Sequence, residues 1–317
     1  MAVPSHRESN FSAISGEVRQ VLGEIKGKVR FREPLSSLTS LRVGGSADFL
    51  IVPMDVDDIR RALDFARRDG LPVIVIGCGA NVIVPDGRLR GVVLHLRGCL
   101  GRAKFWGEEV LAGVGVYLPA LIREAAALNL GGIECLVGIP ATVGGAIATS
   151  AGTPDGNITE FVNAVDFVHA DGAMGQWRQN GRNGGWRLEL PPGAVVVAAR
   201  LRLKRRPLAD IQRDVKKRLK IKKVTEPRAL AATPIWENGN GHSAVKLIER
   251  TGLKGKRLND AEISMKNPNF IVNRGRATAA DVLALMEVAE ERVQAQFGIQ
   301  LQRAVRVIGQ ANGTGSH

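Results

Sequence analysis

The stretch that decides the fold is residues 138–153, "GIPATVGGAIATSAGT". Its apolar residues follow neither a helical nor a strand period, so we expect a loop. Glycines in such a loop let backbone N–H groups approach a bound phosphate closely, and nearby hydroxyl groups add hydrogen bonds. The residues that suit this role are Gly138, Pro140, Thr142, Gly144, Gly145, Thr149 and Ser150. A loop that binds nothing is the alternative.

Two further glycine-rich stretches precede it. The first, "SLRVGGSAD" (40–48), places Arg42 before a Gly-Gly pair, and the second, "GCGANVIV" (77–84), follows a predicted buried strand. In the second stretch Asn81 offers a side-chain donor next to the glycines. A tight turn explains a single G-x-G equally well. The stretch also lacks the third glycine and the following helix of a dinucleotide-binding fingerprint.

The surrounding residues alternate between strand and helix patterns, which predicts an α+β protein. Predicted strands cover 47–53, 71–77, 91–97, 109–115, 162–172, 194–204 and 270–273, with a hairpin turn at Asp171-Gly172. Predicted helices cover 55–70, 118–129, 208–222, 243–251 and 278–297, with Asp55, Ser243 and Thr278 as N-caps.

Near residue 206 the predicted elements change from mainly strands to mainly helices, which predicts two units. We expect a lead-in over 1–30, a first unit over 31–205, a smaller α+β unit over 206–310 and a disordered tail over 311–317.

The chain has 317 residues and a formal net charge of +13, which suits an anionic partner. Much of the excess lies in 200–228, where the spacing predicts a solvated, lysine-rich helix; a nucleic-acid contact there is the alternative. The sequence shows neither a signal peptide nor an apolar run of about 20 residues that would span a membrane. Cys78, Cys99 and Cys135 lack metal-ligand spacing, so no metal and a cytoplasmic location are expected. A monomer or small oligomer is expected.

The three stretches, in this order and spacing, resemble the MurB family of flavin-dependent UDP-N-acetylenolpyruvoylglucosamine reductases. The resemblance lies in Thr39–Gly45, Gly77–Asn81 and Gly138–Gly152, and continues through 247–255, 269–286 and 297–309. It implies two FAD-binding lobes, a third substrate-binding domain, and NADPH-driven reduction of a nucleotide sugar in peptidoglycan precursor synthesis. It also implies a set of FAD-binding residues: Arg42, Gly44, Gly45, Gly77, Cys78, Gly79, Ala80, Asn81, Gly138, Ile139, Pro140, Thr142, Val143, Gly144, Gly145, Ser150, Ala151 and Gly152.

The catalytic positions of the family are altered. The family motif with the proton-donating serine corresponds to "ATPIWENG" (232–239), which has Pro234 at the serine position and Thr233 beside it. Proline has no side-chain proton to give. The terminal family motif L-E-P-E-V-R becomes "LQRAVR" (301–306), so Gln302 replaces a glutamate and cannot act as an acid or base. The family arginine corresponds best to Arg187 in "GGWRLEL".

Four other residues, three histidines and the single tyrosine, have side chains that can carry a proton. His95 and His169 lie in strand patterns, which favours packing, whereas His242 lies in the loop that replaced the serine and is a candidate acid. Tyr117 either faces the flavin or packs. We expect FAD binding to be retained and reductase activity to be low or absent. The alternatives are a reductase adapted to another substrate and a basic protein that binds anionic partners.

Overall fold

The computed structural model describes residues 22–179, 190–227, 232–238 and 242–309. Its strands are β1 Lys28–Pro34, β2 Ser46–Val52, β3 Val73–Ile76, β4 Val82–Ile83, β5 Arg88–His95, β6 Ala103–Trp106, β7 Glu109–Gly113, β8 Leu130–Gly131, β9 Gly152–Thr153, β10 Gly156–Asn157, β11 Val162–Val168, β12 Met174–Arg178, β13 Val195–Arg202, β14 Lys204–Arg205, β15 Ala232–Pro234, β16 Arg257–Leu258, β17 Ala261–Ile263, β18 Phe270–Asn273 and β19 Arg306–Val307. Its α-helices are α1 Val56–Arg68, α2 Leu118–Ala127, α3 Val143–Ala148, α4 Leu208–Thr225, α5 Ala244–Arg250 and α6 Ala279–Phe297.

The first lobe is a four-stranded sheet in the order β1-β2-β5-β3, in which β2, β5 and β3 are parallel. Helix α1 packs on this sheet and begins where predicted, because the Asp55 carboxylate accepts the Asp58 N–H. Asp58 is fully buried and accepts the backbone N–H groups of Lys26, Gly27 and Met54 at 2.8–2.9 Å. One carboxylate therefore ties the chain before β1 to the start of α1.

The second lobe is a five-stranded antiparallel sheet in the order β12-β11-β13-β7-β6. The predicted turn between β11 and β12 is confirmed, and Gly172 has the positive φ of 88° that such turns favour in glycine. The inner face of the sheet packs against α2 and α3 in one apolar cluster that includes Val110, Leu121 and Ile147.

The third unit is the sheet β15-β18-β17-β16 covered by α5 and α6. Ser243 and Thr278 cap the two helices as predicted, and Thr278 forms a reciprocal capping box with Asp281. The apolar core of this unit also contains Leu41, Val43 and Ile83 from the first lobe. The third unit and the first lobe therefore share one core.

Hydrogen bonds reinforce this junction. Strand β19 pairs in parallel with β4, and the Asn273 side chain donates to the Leu41 carbonyl at 2.9 Å. The Asp86 carboxylate accepts the N–H groups of Ala279 and Ala280 at 3.0 and 2.9 Å. An acidic residue of the first lobe thus binds the N-terminus of α6, where a negative charge is favourable.

Helix α4 crosses from the second lobe to the third unit. Ile211 is buried, and Arg206, just before the helix, forms ion pairs with the buried Glu134 at 2.9 Å and with Asp214 at 2.8 Å. The lysine-rich helix predicted over 208–222 is confirmed and extends to Thr225. No helix within the described ranges is both long and apolar enough to cross a bilayer.

Two expectations need correction. The stretch 138–153 is not an uninterrupted loop, because residues 143–148 form α3; Thr142 caps this helix, and its small residues gave no periodic signal. The predicted lead-in over 1–30 is also too long, since β1 begins at Lys28 and both Leu22 and Ile25 are buried in the core. Residues 1–21 and the tail 311–317 lie outside the described part of the chain.

Candidate functional site

The three glycine-rich stretches meet beside the sheet of the first lobe. Strands β3 and β5 are parallel and pair Ile76 with His95, so the chain leaves both strands at the same edge. The turn after β3 brings Gly79 against the first stretch, where the Ser40 N–H donates to the Gly79 carbonyl at 2.9 Å. Gly79 has φ 63°, and a Cβ there would collide with the Leu38 carbonyl oxygen. Only glycine fits this approach.

The third stretch closes the arrangement from the second lobe. The Thr142 hydroxyl accepts the Gly145 N–H at 3.1 Å and would lie 2.6 Å from a Cβ placed on Gly77. Thr142 also forms an antiparallel bridge with Tyr117. The stretch around residue 79 therefore contacts both of the others, around residues 40 and 142, and we call the three together the cradle: residues 39–45, 77–81 and 138–152.

The backbone of the cradle contains two unusual conformations. Arg42 and Ser150 have positive φ values of 54° and 45°, although neither residue is glycine. A side chain in this left-handed region costs on the order of 1 kcal/mol per residue. Such strain concentrates at ligand-binding sites, where the surrounding structure holds it in place.

The cradle residues fall into four groups by accessibility and contact. Gly44, Gly45 and Gly144 allow close packing inside the protein, because a Cβ on each would clash with Val84, Gly87 or Val114. Arg42, Gly138, Pro140 and Gly152 are exposed, whereas Gly77, Cys78, Ala80, Asn81, Ile139, Ser150 and Ala151 are half-buried. Thr142 and Val143 are buried, since the first caps α3 and the second belongs to the core of the second lobe. The exposed and half-buried groups are the ones that a ligand can reach.

Arg42 belongs to the cradle, and the charge of Arg97 acts on two titratable groups beside it, Cys78 and His95. Burial raises the pKa of the Cys78 thiol, while the Arg97 guanidinium and a backbone hydrogen bond from Thr142 oppose that shift. Burial also lowers the pKa of His95, and a hydrogen bond with the Gly77 backbone acts in the opposite direction. His95 is therefore neutral at pH 7. Arg97 lies 5.7 Å from the centre of the Tyr117 ring, and its charge acts on both of these groups.

The fit to FAD can be judged from these groups. The cradle offers glycine backbone that a flat or phosphate-bearing ligand can approach, hydroxyls at Thr149 and Ser150, and the cation Arg97 beside an exposed aromatic ring. These features suit a large aromatic ligand with an anionic pyrophosphate. A separate cavity of about 640 Å³ is lined by Leu100, Arg102, Lys104, Asp166 and Met174, among others, but by no cradle residue. Cavity size therefore does not identify the site, whereas the convergence of the three stretches does.

The third unit reaches the cradle through Asn81. The side-chain amide of Asn81 donates to the Ala304 carbonyl at 2.9 Å, and the Arg306 N–H donates to the Asn81 carbonyl at 3.0 Å. Asn81 was predicted as a phosphate donor, and the structure places its amide on the terminal motif "LQRAVR" instead. The terminal motif consequently lies beside the cradle.

The serine position and its neighbour face different surroundings. Thr233 is buried in β15 opposite Ile271, whereas Pro234 is exposed opposite Phe270. Because side chains alternate along a strand, the Thr233 hydroxyl points to the opposite face from residue 234. A threonine one residue away is therefore poorly placed to stand in for the missing serine.

Glu290 is a residue that the sequence analysis missed. It accepts the indole N–H of buried Trp236 at 3.0 Å and a two-pronged pair of bonds from Arg303, both at 2.8 Å. Trp236 and Arg303 also form a backbone bridge. Hydrogen bonding to Glu290 is the main cause that raises the pKa of Arg303. We call Trp236, Glu290 and Arg303 the clamp.

The clamp joins the two segments in which the family motifs are altered. Trp236 and Arg303 belong to "ATPIWENG" and "LQRAVR", and Glu290 on α6 binds both. In the sequence, Glu290 is marked only as an acidic residue that follows the inward-facing Ala289 in α6. The two altered segments are also paired by backbone bonds from Glu237 N–H to Gln302 and from Ala304 N–H to Ile235, at 2.9 and 2.7 Å.

The remaining candidates are placed as follows. Gln302 and His242 are exposed and line a small pocket together with Glu237. His169 stacks edge-on against Phe167 at 4.9 Å in the second lobe, which favours its packing role. Arg187 lies outside the described residues, so its placement stays a prediction.

Comparisons with known proteins agree on one family. A family model described as "UDP-N-acetylenolpyruvoylglucosamine reductase, C-terminal domain" matches residues 226–308, and an "FAD binding domain" model matches residues 47–176. The reductase of Geobacter metallireducens is 38% identical over 90% of this chain and 96% of its own length. That of Moorella thermoacetica is 36% identical over 95% of this chain and 99% of its own length.

A solved structure gives the same result. The crystal structure of UDP-N-acetylenolpyruvylglucosamine reductase (MurB) from Thermus caldophilus superposes with a TM-score of 0.75 at 34% identity. The alignment covers 89% of this chain and 99% of that chain. The likeness thus includes both lobes and the third unit.

Proposed function

The chain belongs to the family of the UDP-N-acetylenolpyruvoylglucosamine reductases, and we propose that its cradle holds the FAD on which these enzymes depend. It is a FAD-dependent oxidoreductase of peptidoglycan precursor synthesis. The observation that carries the residue assignment is the contact of the second glycine-rich stretch with both of the others between the two lobes. When bound, FAD supplies the hydride chemistry that amino acid side chains cannot perform.

The chain's own residues bind and orient. The half-buried backbone of Gly77, Cys78 and Ala80 approaches the cofactor, and Arg97 balances its negative charge. The lowered pKa of His95 favours its neutral form, so this residue adds no positive charge beside Arg97. The tie between Asn81 and Ala304 holds the third unit, which binds the nucleotide sugar, at a fixed position relative to the cradle.

We propose further that the step at the sugar is slow. A positioned proton donor contributes about 10²–10⁴ in rate, and an electrostatic stabiliser on the order of another 10²–10³. Pro234 supplies no proton, and Gln302 supplies no carboxylate. Thr233 is buried in β15, so a substitute hydroxyl is not in place beside residue 234.

An absorbance spectrum of the purified protein tests both parts. We expect the spectrum of bound flavin, its bleaching on addition of NADPH, and slow recovery on addition of the enolpyruvyl sugar under anaerobic conditions. Absence of flavin, even after incubation with FAD, would contradict the cradle assignment. Recovery at an ordinary enzymatic rate, from about 1 to 10³ per second, would contradict the slow step.

A second candidate is a reductase adapted to another acceptor, and the clamp favours it. The replacement of two family positions by mutually bonded residues, Trp236 and Arg303 with Glu290, indicates that this end of the site is built differently. Bleaching by NADPH without any recovery on addition of the enolpyruvyl sugar would support this candidate.

A further inference from the structure

Helix α4 presents one face that nothing in the described structure covers. Lys220 and Ile221 lie three and four residues after Lys217, and Val224 lies four and three residues after them, so the four residues share a helix face. All four are exposed, and Ile221 and Val224 are exposed to 53% and 67%. Lys216 and Lys223 flank this face and are exposed as well. We call these six residues the basic face.

The positive charge of the basic face is not neutralised within the described part of the chain. The ion pairs of α4 use Arg213, Arg218 and Lys222, which bind Asp210, Asp155 and Glu226. No ion pair among the described residues involves Lys216, Lys217, Lys220 or Lys223. Four lysines therefore project into solvent around two aliphatic side chains.

The opposite side of α4 is held in place, so the basic face is rigid. Lys222 lies over the cradle, where its Cδ would be 2.7 Å from a Cβ placed on Gly138. Lys266 of the third unit donates its ammonium N–H to the Lys223 carbonyl at 2.7 Å. Near this contact Met265 adds another side chain that is 63% exposed. The helix thus lies along the surface with its basic face outward.

We propose that the basic face docks onto the surface of a lipid bilayer that contains anionic headgroups. Lysines around aliphatic side chains on an in-plane helix match both parts of such a surface, the anionic headgroups and the apolar layer beneath them. Nucleic acid fits less well, because α4 has no aromatic residue for base stacking. A bilayer also requires no complementary pocket, and the basic face is convex. The proposal is independent of the flavin chemistry.

Co-sedimentation with vesicles tests the proposal on the full-length, FAD-loaded protein. We expect binding to phosphatidylcholine vesicles that contain phosphatidylglycerol, and none to pure phosphatidylcholine vesicles. Binding decreases with added salt, because screening weakens the attraction. Each lysine near an anionic surface contributes roughly fivefold in affinity. The triple variant Lys216→Gln, Lys217→Gln, Lys220→Gln therefore binds about a hundredfold more weakly.

Two matched variants test whether vesicle binding depends on the basic face or only on the net charge of the protein. The triple variant Lys28→Gln, Arg90→Gln, Arg292→Gln removes the same charge from exposed positions on other elements, and we expect it to bind as the parent does. Ile221→Ser with Val224→Ser keeps all charges and should still weaken binding several-fold. Equal loss in both charge variants, no vesicle binding, or tighter binding to duplex DNA or RNA than to vesicles would each overturn the proposal.

Discussion

At the scale of single residues, Pro234 stands where the family motif carries its proton-donating serine. Pro234 is exposed at the end of the short strand β15, so a smaller residue fits there without changing the core. We expect Pro234→Ser to accelerate sugar-dependent recovery of the flavin absorbance by roughly 10²-fold, within the range of a positioned proton donor. Stopped-flow absorbance measures this rate.

Pro234→Ala is the matched control, because it removes the ring without adding a hydroxyl. Equal rates for the serine and alanine variants would show that a hydroxyl at residue 234 does not deliver the proton.

The clamp makes a second prediction at this scale. In Glu290→Gln the amide still accepts one bond, but the charge of the partly buried Arg303 loses its counter-ion. We expect the free energy of unfolding to fall by about 1–3 kcal/mol, the usual cost of a charged partner left without its bond. Urea unfolding measures it. Glu291→Gln, on the exposed side of α6, should change it by less than about 0.5 kcal/mol; an equal effect of both variants would refute the assignment of the clamp.

At the scale of elements, the start of α6 depends on a residue from another unit. Asp86 accepts the Ala279 and Ala280 N–H groups, which no other bond inside the helix satisfies. We expect Asp86→Ala to lower the free energy of unfolding by about 1–2 kcal/mol, as for loss of a strong N-cap. Asp69→Ala, at the C-terminal end of α1, is the control. The free energy of unfolding is measured with a denaturant, and an equal loss in the two variants would contradict this role.

Strands β17 and β18 supply a pH-dependent contact. Glu262 on β17 is only 7% exposed and accepts two bonds from Arg274, at 2.9 and 2.6 Å. The hydrogen bond from Arg274 lowers the pKa of Glu262 below its usual 4.5. A lowered pKa in the folded state stabilises the fold above the unfolded value, and this contribution is lost as the pH falls through the folded value.

Glu262→Gln should therefore be less stable than the parent protein above pH 4.5, and the difference should shrink as the pH falls further below 4.5. Thermal unfolding midpoints of both proteins across this range measure the effect. A difference that stays constant with pH would show that the pair is not the cause.

The elements also show what sequence can predict. Helices α1, α5 and α6 were predicted with their caps because Asp55, Ser243 and Thr278 satisfy the first N–H groups locally. Helix α3 was missed because its glycines and alanines give no apolar stripe, and it forms through packing against Val114. Short strands such as β15 depend on distant partners, which local patterns do not reveal.

At the scale of the whole molecule, the glycine-rich stretches predicted the cradle, because a turn that requires glycine can be recognised from the glycine in the sequence. The relation of the cradle to the third unit was not predictable. It depends on a few polar contacts, such as Asn81 with Ala304 and Asn273 with Leu41, whose partners are ordinary backbone carbonyls. Every residue has a backbone carbonyl, so the sequence does not indicate which carbonyl will accept such a bond.

The junction of β4 and β19 bears on how the protein is made. Asn81 and its partner Ala304 are 223 residues apart in the chain. At a synthesis rate of about 5–20 residues per second, this edge of the nascent first lobe stays unpaired for roughly 10–45 s. An unpaired strand edge invites pairing with neighbouring chains. During that time the two-residue strand β4 has no partner strand, so the junction between the first lobe and the third unit forms only when nearly the whole chain has been made.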